Sequence, residues 1–223
     1  MIAPILYSLQ NCPFAIRARM ALFMAQQTVR LRAVKLNNKP QEMLSASPKG
    51  SVPILVLTAS ECVPPSQVLE ESLEIMLWAL SQNDPCDLLL CDSPNSLPSM
   101  FEFIADFEHS IIPAFGAYAN AKRYHDKDEL TYRRTCEVHL GQLEKRLNQH
   151  AYLFSHQESL VDIALMPFLR KFARIDKPWF RQAPYPRLQN WLEHYLQSPL
   201  FSKVMENHPI WLGNRTDVYF GEQ

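Results

Sequence analysis

Residues 7–25 read YSLQNCPFAIRARMALFMA, and the fold follows from how this stretch changes character. Its first residues close a short apolar segment, Pro4 to Leu9, that reads as a strand. A polar turn follows, then Cys12, Pro13 and a run of helix-compatible residues. Proline suits the first helical turn, where the missing N–H costs no bond and φ is already set. Cys12 therefore falls at the helix N-cap or beside it, facing unpaired N–H groups and the positive end of the helix dipole. Those groups favour the thiolate, which is the reactive form of cysteine. Ala15 stands where a two-cysteine redox motif would carry its second sulfur, so chemistry at Cys12 needs an external thiol to reset it. A lone cysteine is also a common small buried hydrophobe. Position alone leaves Cys12 open between nucleophile and packing residue.

Outward from this stretch the pattern alternates between periods. Residues 13–26 form a helix with Phe14, Ala18, Leu22 and Ala25 near one stripe, and Val29 to Leu36 reads as a second strand. Strand, helix and strand in this order favour a right-handed parallel crossover. Lys39 to Ala46 is a short helix or turn begun by Pro40, and Ser47-Pro48-Lys49-Gly50 punctuates the chain. Ile54 to Leu57 is an apolar third strand with Pro53 at its entrance, where the ladder has not begun. Val52-Pro53 is a candidate cis bond. After an irregular connection from Thr58 to Ser66, Gln67 to Leu69 is a short fourth strand. Glu71 and Ser72 then open a helix whose first-turn N–H groups can receive a ligand carboxylate. Residues 1–82 thus read as an α/β domain with a mixed four-stranded sheet.

Residues 83–96 show little periodicity and read as a linker, and residues 97–223 read as an all-helical domain. Phe101, Ile104, Phe107, Ile111, Phe115 and Tyr118 recur at helical spacing, with Pro113 expected to bend or break that helix. Lys127 to Gln149 is a second long helix. Ser159-Leu160-Val161-Asp162 is a capping box with Asp in place of Glu, opening an almost wholly apolar and therefore buried helix. Asp162 reads as a structural cap rather than a catalytic acid. Pro186 to Leu196 and Pro199 to Asn207 close the helical part, and Trp211 and Tyr219 lie in a tail that folds back on the body.

Composition narrows the function classes. Charge is balanced, with 22 basic against 23 acidic residues, so no nucleic-acid surface is expected. No run of about 18 apolar residues predicts a membrane span. The start, MIAPILYSLQNC, has no basic region or small-residue cleavage site. Five cysteines at irregular spacing argue against a disulfide framework, and a reducing cytoplasm is the expected compartment. No metal is expected: Glu102, Asp106 and His109 can share a helix face, but no paired motif on the helix 127–149 answers them. With five glycines and no phosphate loop or nucleophile elbow, phosphate cradling and serine hydrolysis are not indicated. Tyr7 and Ser8 end the first strand on opposite faces and could supply a hydroxyl instead of the thiol.

Taken together, YSLQNCPFAIRARMAL at 7–22, KPQEML at 39–44, SPKGSVPIL at 47–55, ESLEIMLWAL at 71–80 and SLVDIALMPFLRKFARID at 159–176 resemble the glutathione transferase superfamily, within it the cysteine-type, omega-like branch. The resemblance implies a thioredoxin-like domain followed by a helical domain, a homodimer, and glutathione as cosubstrate. It implies that Cys12 forms a mixed disulfide with glutathione and acts as a thiol transferase on small hydrophobic, oxidised or disulfide substrates. By position, Phe14 would flank the thiol, and Val52, before a cis Pro53, would pair with the cysteinyl part. Glu71 and Ser72 would hold the γ-glutamyl end, and Lys39 would approach the glycine carboxylate. Tyr7, Phe107 and Phe115 would line the substrate cleft. Two alternatives stay open: an inactive interaction adaptor on the same fold, and conjugation or isomerisation assisted by Ser8 or Tyr7.

Overall fold

The computed structural model describes residues 3–57, 67–93 and 95–221. The irregular connection 58–66, with Cys62, lies outside the described residues. In chain order the elements are β1 (Ile5–Ser8), α1 (Pro13–Met24), β2 (Val29–Ala33), α2 (Gln41–Ala46), β3 (Ile54–Val56), β4 (Val68–Leu69) and α3 (Ser72–Gln82). Six helices follow: α4 (Ser96–Asp106), α5 (Ile112–Tyr124), α6 (Glu129–Gln149), α7 (Leu160–Ala173), α8 (Lys177–Gln182) and α9 (Pro186–Leu196). The chain then adds α10 (Pro199–Val204), α11 (Trp211–Asn214) and β5 (Val218–Phe220). These elements form two compact units, one of Met1–Cys86 with Pro199–Gln223, the other of Asp87–Ser198.

The first unit is a mixed sheet with helices, in the order β4-β3-β1-β2-β5. β1 and β2 run parallel in the register Ile5 to Arg30, as the strand–helix–strand pattern requires, and β3, β4 and β5 pair antiparallel with their neighbours. Among the described residues the sheet has five strands where the sequence pattern suggested four. β5 pairs Val29 with Phe220 and Leu31 with Val218, so residues assigned to the helical domain complete the sheet. Alternation explains the fit. Val29, Leu31 and Ala33 are buried, and Arg30 and Arg32 on the other face both reach Asp217, at 3.4 and 3.0 Å. Arg32 also lies over the Trp211 ring at 4.0 Å.

α1 is buried nearly all round and packs against α3, with Ala15, Ala18 and Ala21 wholly inside. Arg19 is buried with them and is fully engaged. Its Nη1 donates to Ser8 Oγ, its Nη2 to Gln10 O at 2.9 Å, and its Nε to Val204 O at 3.0 Å. One guanidinium fork thus joins the end of β1 to α10.

The second unit is helical. The stretch from α4 to α5 is continuous but contains a π-helical turn, Phe107–Ile111, just before Pro113 in the first turn of α5. Proline cannot donate to the ladder and crowds the carbonyl four residues back, and one wider turn accommodates both problems. Phe107 and Phe115 meet edge to face with centroids 6.2 Å apart, and Phe115 packs on Phe172 of α7 at 4.2 Å. α7 is the buried centre of this unit, and the Ser159/Asp162 capping box opens it as the sequence suggested. α8 was not anticipated; Asp176 caps it by accepting from the Trp179 N–H at 3.2 Å.

The start of α9 is satisfied from outside. Glu144, buried on α6, accepts from the N–H groups of Arg187 at 3.0 Å and Leu188 at 2.8 Å. A carboxylate there answers two orphan donors and the dipole together. Glu144→Ala should destabilise the protein by about 2–3 kcal/mol, and Glu144→Gln by less, read from urea midpoints at constant slope.

Candidate functional site

Cys12 is the N-cap of α1, with φ −75° and ψ 122°, and its carbonyl accepts the Ile16 N–H at 2.9 Å. No side chain caps this helix start and no acid lies in its first turn. Among the described residues, no carboxylate of that turn competes with the sulfur for the positive end of the dipole. The side chain is half-buried, and Sγ lies 4.0 Å from the carbonyl oxygen of Val52. The Val52-Pro53 bond is cis, with Pro53 buried at the entrance to β3.

The other predicted residues gather around the ends of α1 and α3. Ser72 is buried in the first turn of α3, and its Oγ accepts from Arg17 Nε at 2.9 Å. The Arg17 guanidinium also lies 5.1 Å from the centre of the Phe14 ring. Phe14 and Ser72 are thus linked through one arginine. Glu71 is the N-cap of α3 but makes no side-chain cap bond, so the first-turn N–H groups there are not closed by it. Its carboxylate pairs instead with Lys49 at the surface, both side chains more than half exposed. Solvent screens such an exposed pair, so it is weakly held and exchanges readily for another charge.

Lys39 is half-buried and folds over Gly50: a Cβ added at Gly50 would stand 3.1 Å from Lys39 Nζ. Gly50 also has φ +59°, so the Ser47–Gly50 turn requires glycine for conformation and for space.

Tyr7 and Ser8 point to opposite faces, as strand alternation demands, and both hydroxyls are occupied. Tyr7 is 2% exposed, packs with Val34, Met43 and Ile54, and accepts from Arg32 Nη1 at 3.0 Å. Burial pushes its hydroxyl pKa above the ordinary value, with the Arg32 hydrogen bond pulling the other way. Ser8 is equally buried and accepts from Arg19. Phe107 and Phe115 sit in the aromatic core of the helical unit, 2% and 7% exposed.

The described cysteines separate by environment. Cys136 is buried on α6, its Sγ 3.4 Å from Ala114 O, and burial pushes its thiol up to about 12, so it stays protonated. Cys86 and Cys91 are exposed. Cys12 alone among the described cysteines caps a helix of ordinary length. Among the described residues no group of three His, Cys, Asp or Glu is placed to hold a metal, and no helix is long and apolar enough to cross a membrane.

Arg17 and Lys49 were missed as site residues. The signal for Arg17 was available, since a charged residue amid the alanines of α1 has to find a partner inside. Lys49 had none, because its role depends on which carboxylate the fold brings near.

Two family profiles match in tandem: "Glutathione S-transferase, N-terminal domain" over residues 6–86 and "Glutathione S-transferase, C-terminal domain" over residues 105–199. The chain belongs to the glutathione transferase superfamily. Omega relatives are among those this transferase-family chain resembles. Glutathione S-transferase omega-1 of Mus musculus is 24% identical over 213 residues, covering 95% of this chain and 80% of the relative. Glutathione transferase Omega 3C from Trametes versicolor superposes with TM-score 0.76 at 19% identity, covering 95% of this chain and 92% of that one. A glutathione transferase family member from Pseudomonas fluorescens, solved with two glutathione bound, gives TM-score 0.76 at 19% identity over 92% of each chain.

Proposed function

We propose that this glutathione transferase family member is an omega-like thiol transferase that works through a Cys12–glutathione mixed disulfide. The carrying observation is the contrast between three candidate nucleophiles. The Cys12 sulfur is half-buried at an uncapped helix start, whereas the Tyr7 and Ser8 hydroxyls are buried and bonded to arginines.

Glutathione is the cosubstrate in this reading, which the Pseudomonas fluorescens relative solved with two glutathione bound supports. Its cysteinyl backbone pairs with Val52 in the manner of an added strand. Its γ-glutamyl carboxylate meets the first-turn N–H groups at Ser72, and its ammonium takes the place of Lys49 on Glu71. Lys39 approaches the glycine carboxylate, and Phe14 flanks the sulfur. Tyr7 and Phe115 gain no support as cleft residues, since each is buried in a core, whereas Phe107, though 2% exposed, lines a cavity with Phe103 and Arg146. A homodimer belongs to the reading by family resemblance.

The Cys12 thiolate attacks the glutathionyl sulfur of a substrate disulfide. A Cys12–glutathione bond forms, the substrate's own S–S bond breaks, and the substrate leaves as a thiolate that takes up a proton. The thiolate of a second glutathione then attacks the bound glutathionyl sulfur, releasing glutathione disulfide and restoring the Cys12 thiolate. No other oxidant or reductant is needed.

Intact mass after incubation with oxidised glutathione tests the reading. One glutathionyl adduct should form on the wild type, map to Cys12 after proteolysis, and be missing from folded Cys12→Ala. An unmodified Cys12 in folded protein would sink the mechanism.

A further inference from the structure

Lys39 sits on an arm that the fold holds lightly. Residues 35–38 are exposed and Lys39 is half-buried, and of the six residues of α2 that follow only Met43 is buried. A segment with so few buried contacts belongs to the low-stability end of a fold. Glu42 is the one acid of α2, three residues after Lys39. Its own backbone N–H, then Arg215 and Arg32, hold its carboxyl below the ordinary pKa against burial, so it is ionised. Oε1 accepts from Arg215 Nη1 at 2.7 Å, whereas Oε2 is shut off from solvent and accepts from no group among the described residues. Lys39 does not serve this carboxylate; it is folded over Gly50.

Arg215 comes to α2 from 173 residues further along the chain, on a segment fixed to the sheet. It closes α11 at φ +54°, a conformation uncommon outside glycine, with its N–H donating to Trp211 O at 2.6 Å. The Thr216 N–H donates to Asn214 Oδ1 at 3.1 Å and pins the same turn. The Arg215 guanidinium lies 5.2 Å from the Trp211 ring, which is 5% exposed and carries Arg32 of β2 at 4.0 Å. Asp217 then ties the segment to Arg30 and Arg32. This framework delivers a cation to Glu42 in a pair whose side chains are 60% and 40% exposed, so solvent screens it and it adds little to stability. What the pair does decide is which charge Glu42 faces. Without Arg215 the next cation along the arm is Lys39, and both side chains are long enough to meet across three residues.

We propose that Arg215 is a positioning residue for glutathione: by engaging Glu42 it keeps that carboxylate off Lys39 and leaves Lys39 for the glycine carboxylate of the ligand. The inference rests on the placement of that carboxylate at Lys39 under the function proposed above, and it adds to the site a residue that touches neither the ligand nor Cys12.

Calorimetric dissociation constants of the full chain at low ionic strength test this, with S-methylglutathione and with S-methyl-γ-glutamylcysteine, which lacks the glycine. Neither ligand can form a disulfide, so binding is read apart from the chemistry at Cys12. Arg215→Gln should weaken S-methylglutathione about three- to fivefold and leave the glycine-free ligand unchanged. Glu42→Gln alone should bind S-methylglutathione at least as tightly as wild type. Arg215→Gln added to Glu42→Gln should have no further effect, because no carboxylate is left to engage. An Arg215→Gln variant with wild-type affinity, an equal loss for both ligands, or a loss that persists in the Glu42→Gln background would each overturn the proposal while leaving the glutathione site standing. Failure of the site itself has a different signature: wild type that binds neither ligand, or Lys39→Met that binds S-methylglutathione as wild type does, would remove the glutathione placement and this proposal with it.

Discussion

Cys12→Ser should lower the glutathione-dependent reduction of a mixed disulfide by about a thousandfold or more, with little change in melting temperature. The substitution is nearly isosteric at a half-buried position, and the backbone bonds that place the residue, Cys12 N–H to Leu9 O and Ile16 N–H to Cys12 O, do not involve its side chain. Stability should therefore barely register it. Chemistry should register it completely, because an alkoxide is far less available than a thiolate at the same helix start and cannot form the S–S bond that carries the cycle. Steady-state rates with a small glutathionylated disulfide measure this. Turnover persisting near the wild-type level would return attention to a hydroxyl, and to how Tyr7 or Ser8 could leave Arg32 or Arg19.

Asp162→Ala should cost about 3–5 kcal/mol of stability, or about 10 °C in melting temperature for a chain of this size. The carboxylate is wholly buried and gathers four donors. Oδ1 accepts from the Leu153 N–H at 2.9 Å and Trp191 Nε1 at 3.1 Å, and Oδ2 from the Ser159 N–H at 3.1 Å and the Ser159 hydroxyl at 2.9 Å. Alanine would leave buried N–H groups from three different segments without an acceptor. Burial pushes this carboxyl up to about 6, with the four donors pulling it down. A carboxyl whose folded pKa lies above its unfolded value, about 3.9, holds its proton more tightly when folded. Its stabilising contribution is therefore complete below about pH 4 and is lost as pH rises through about 6. The stability advantage of wild type over Asp162→Asn, which does not titrate, should shrink across that interval in denaturant titrations. A constant difference would show that the four donors hold the carboxylate ionised throughout.

Most of the first unit was legible because its signals are local. Strand, Pro13-opened helix and strand could be read from residues 4–36, and the Ser159/Asp162 box marked the start of α7 within a residue. What escaped was set by distant partners. β5 is three residues long, too short to display alternation, and exists because Arg30 and Arg32 meet Asp217 across the pairing. The division between units was misplaced for the same reason: residues 199–223 follow helices in sequence but satisfy Arg19 and β2 in space. The site divides similarly. Cys12 and Val52-Pro53 announce themselves by the residues beside them, whereas the links from Arg17 to Ser72 and from Lys49 to Glu71 require the tertiary fold. Phe107 and Phe115 had the right spacing for a helix face, and spacing cannot tell which of several neighbours that face will meet.

Because β5 joins the sheet built by the first residues, the helical unit is an insertion within the first unit. During synthesis the ribosome delivers β2 long before its last neighbour, so one edge of the sheet stays open while residues 87–198 emerge and can fold as a body. An open edge is a surface for wrong pairing. Until Val218–Phe220 arrive, Arg30 and Arg32 are charges along an exposed strand, and they guard β2 against self-association in the interval before Asp217 claims them.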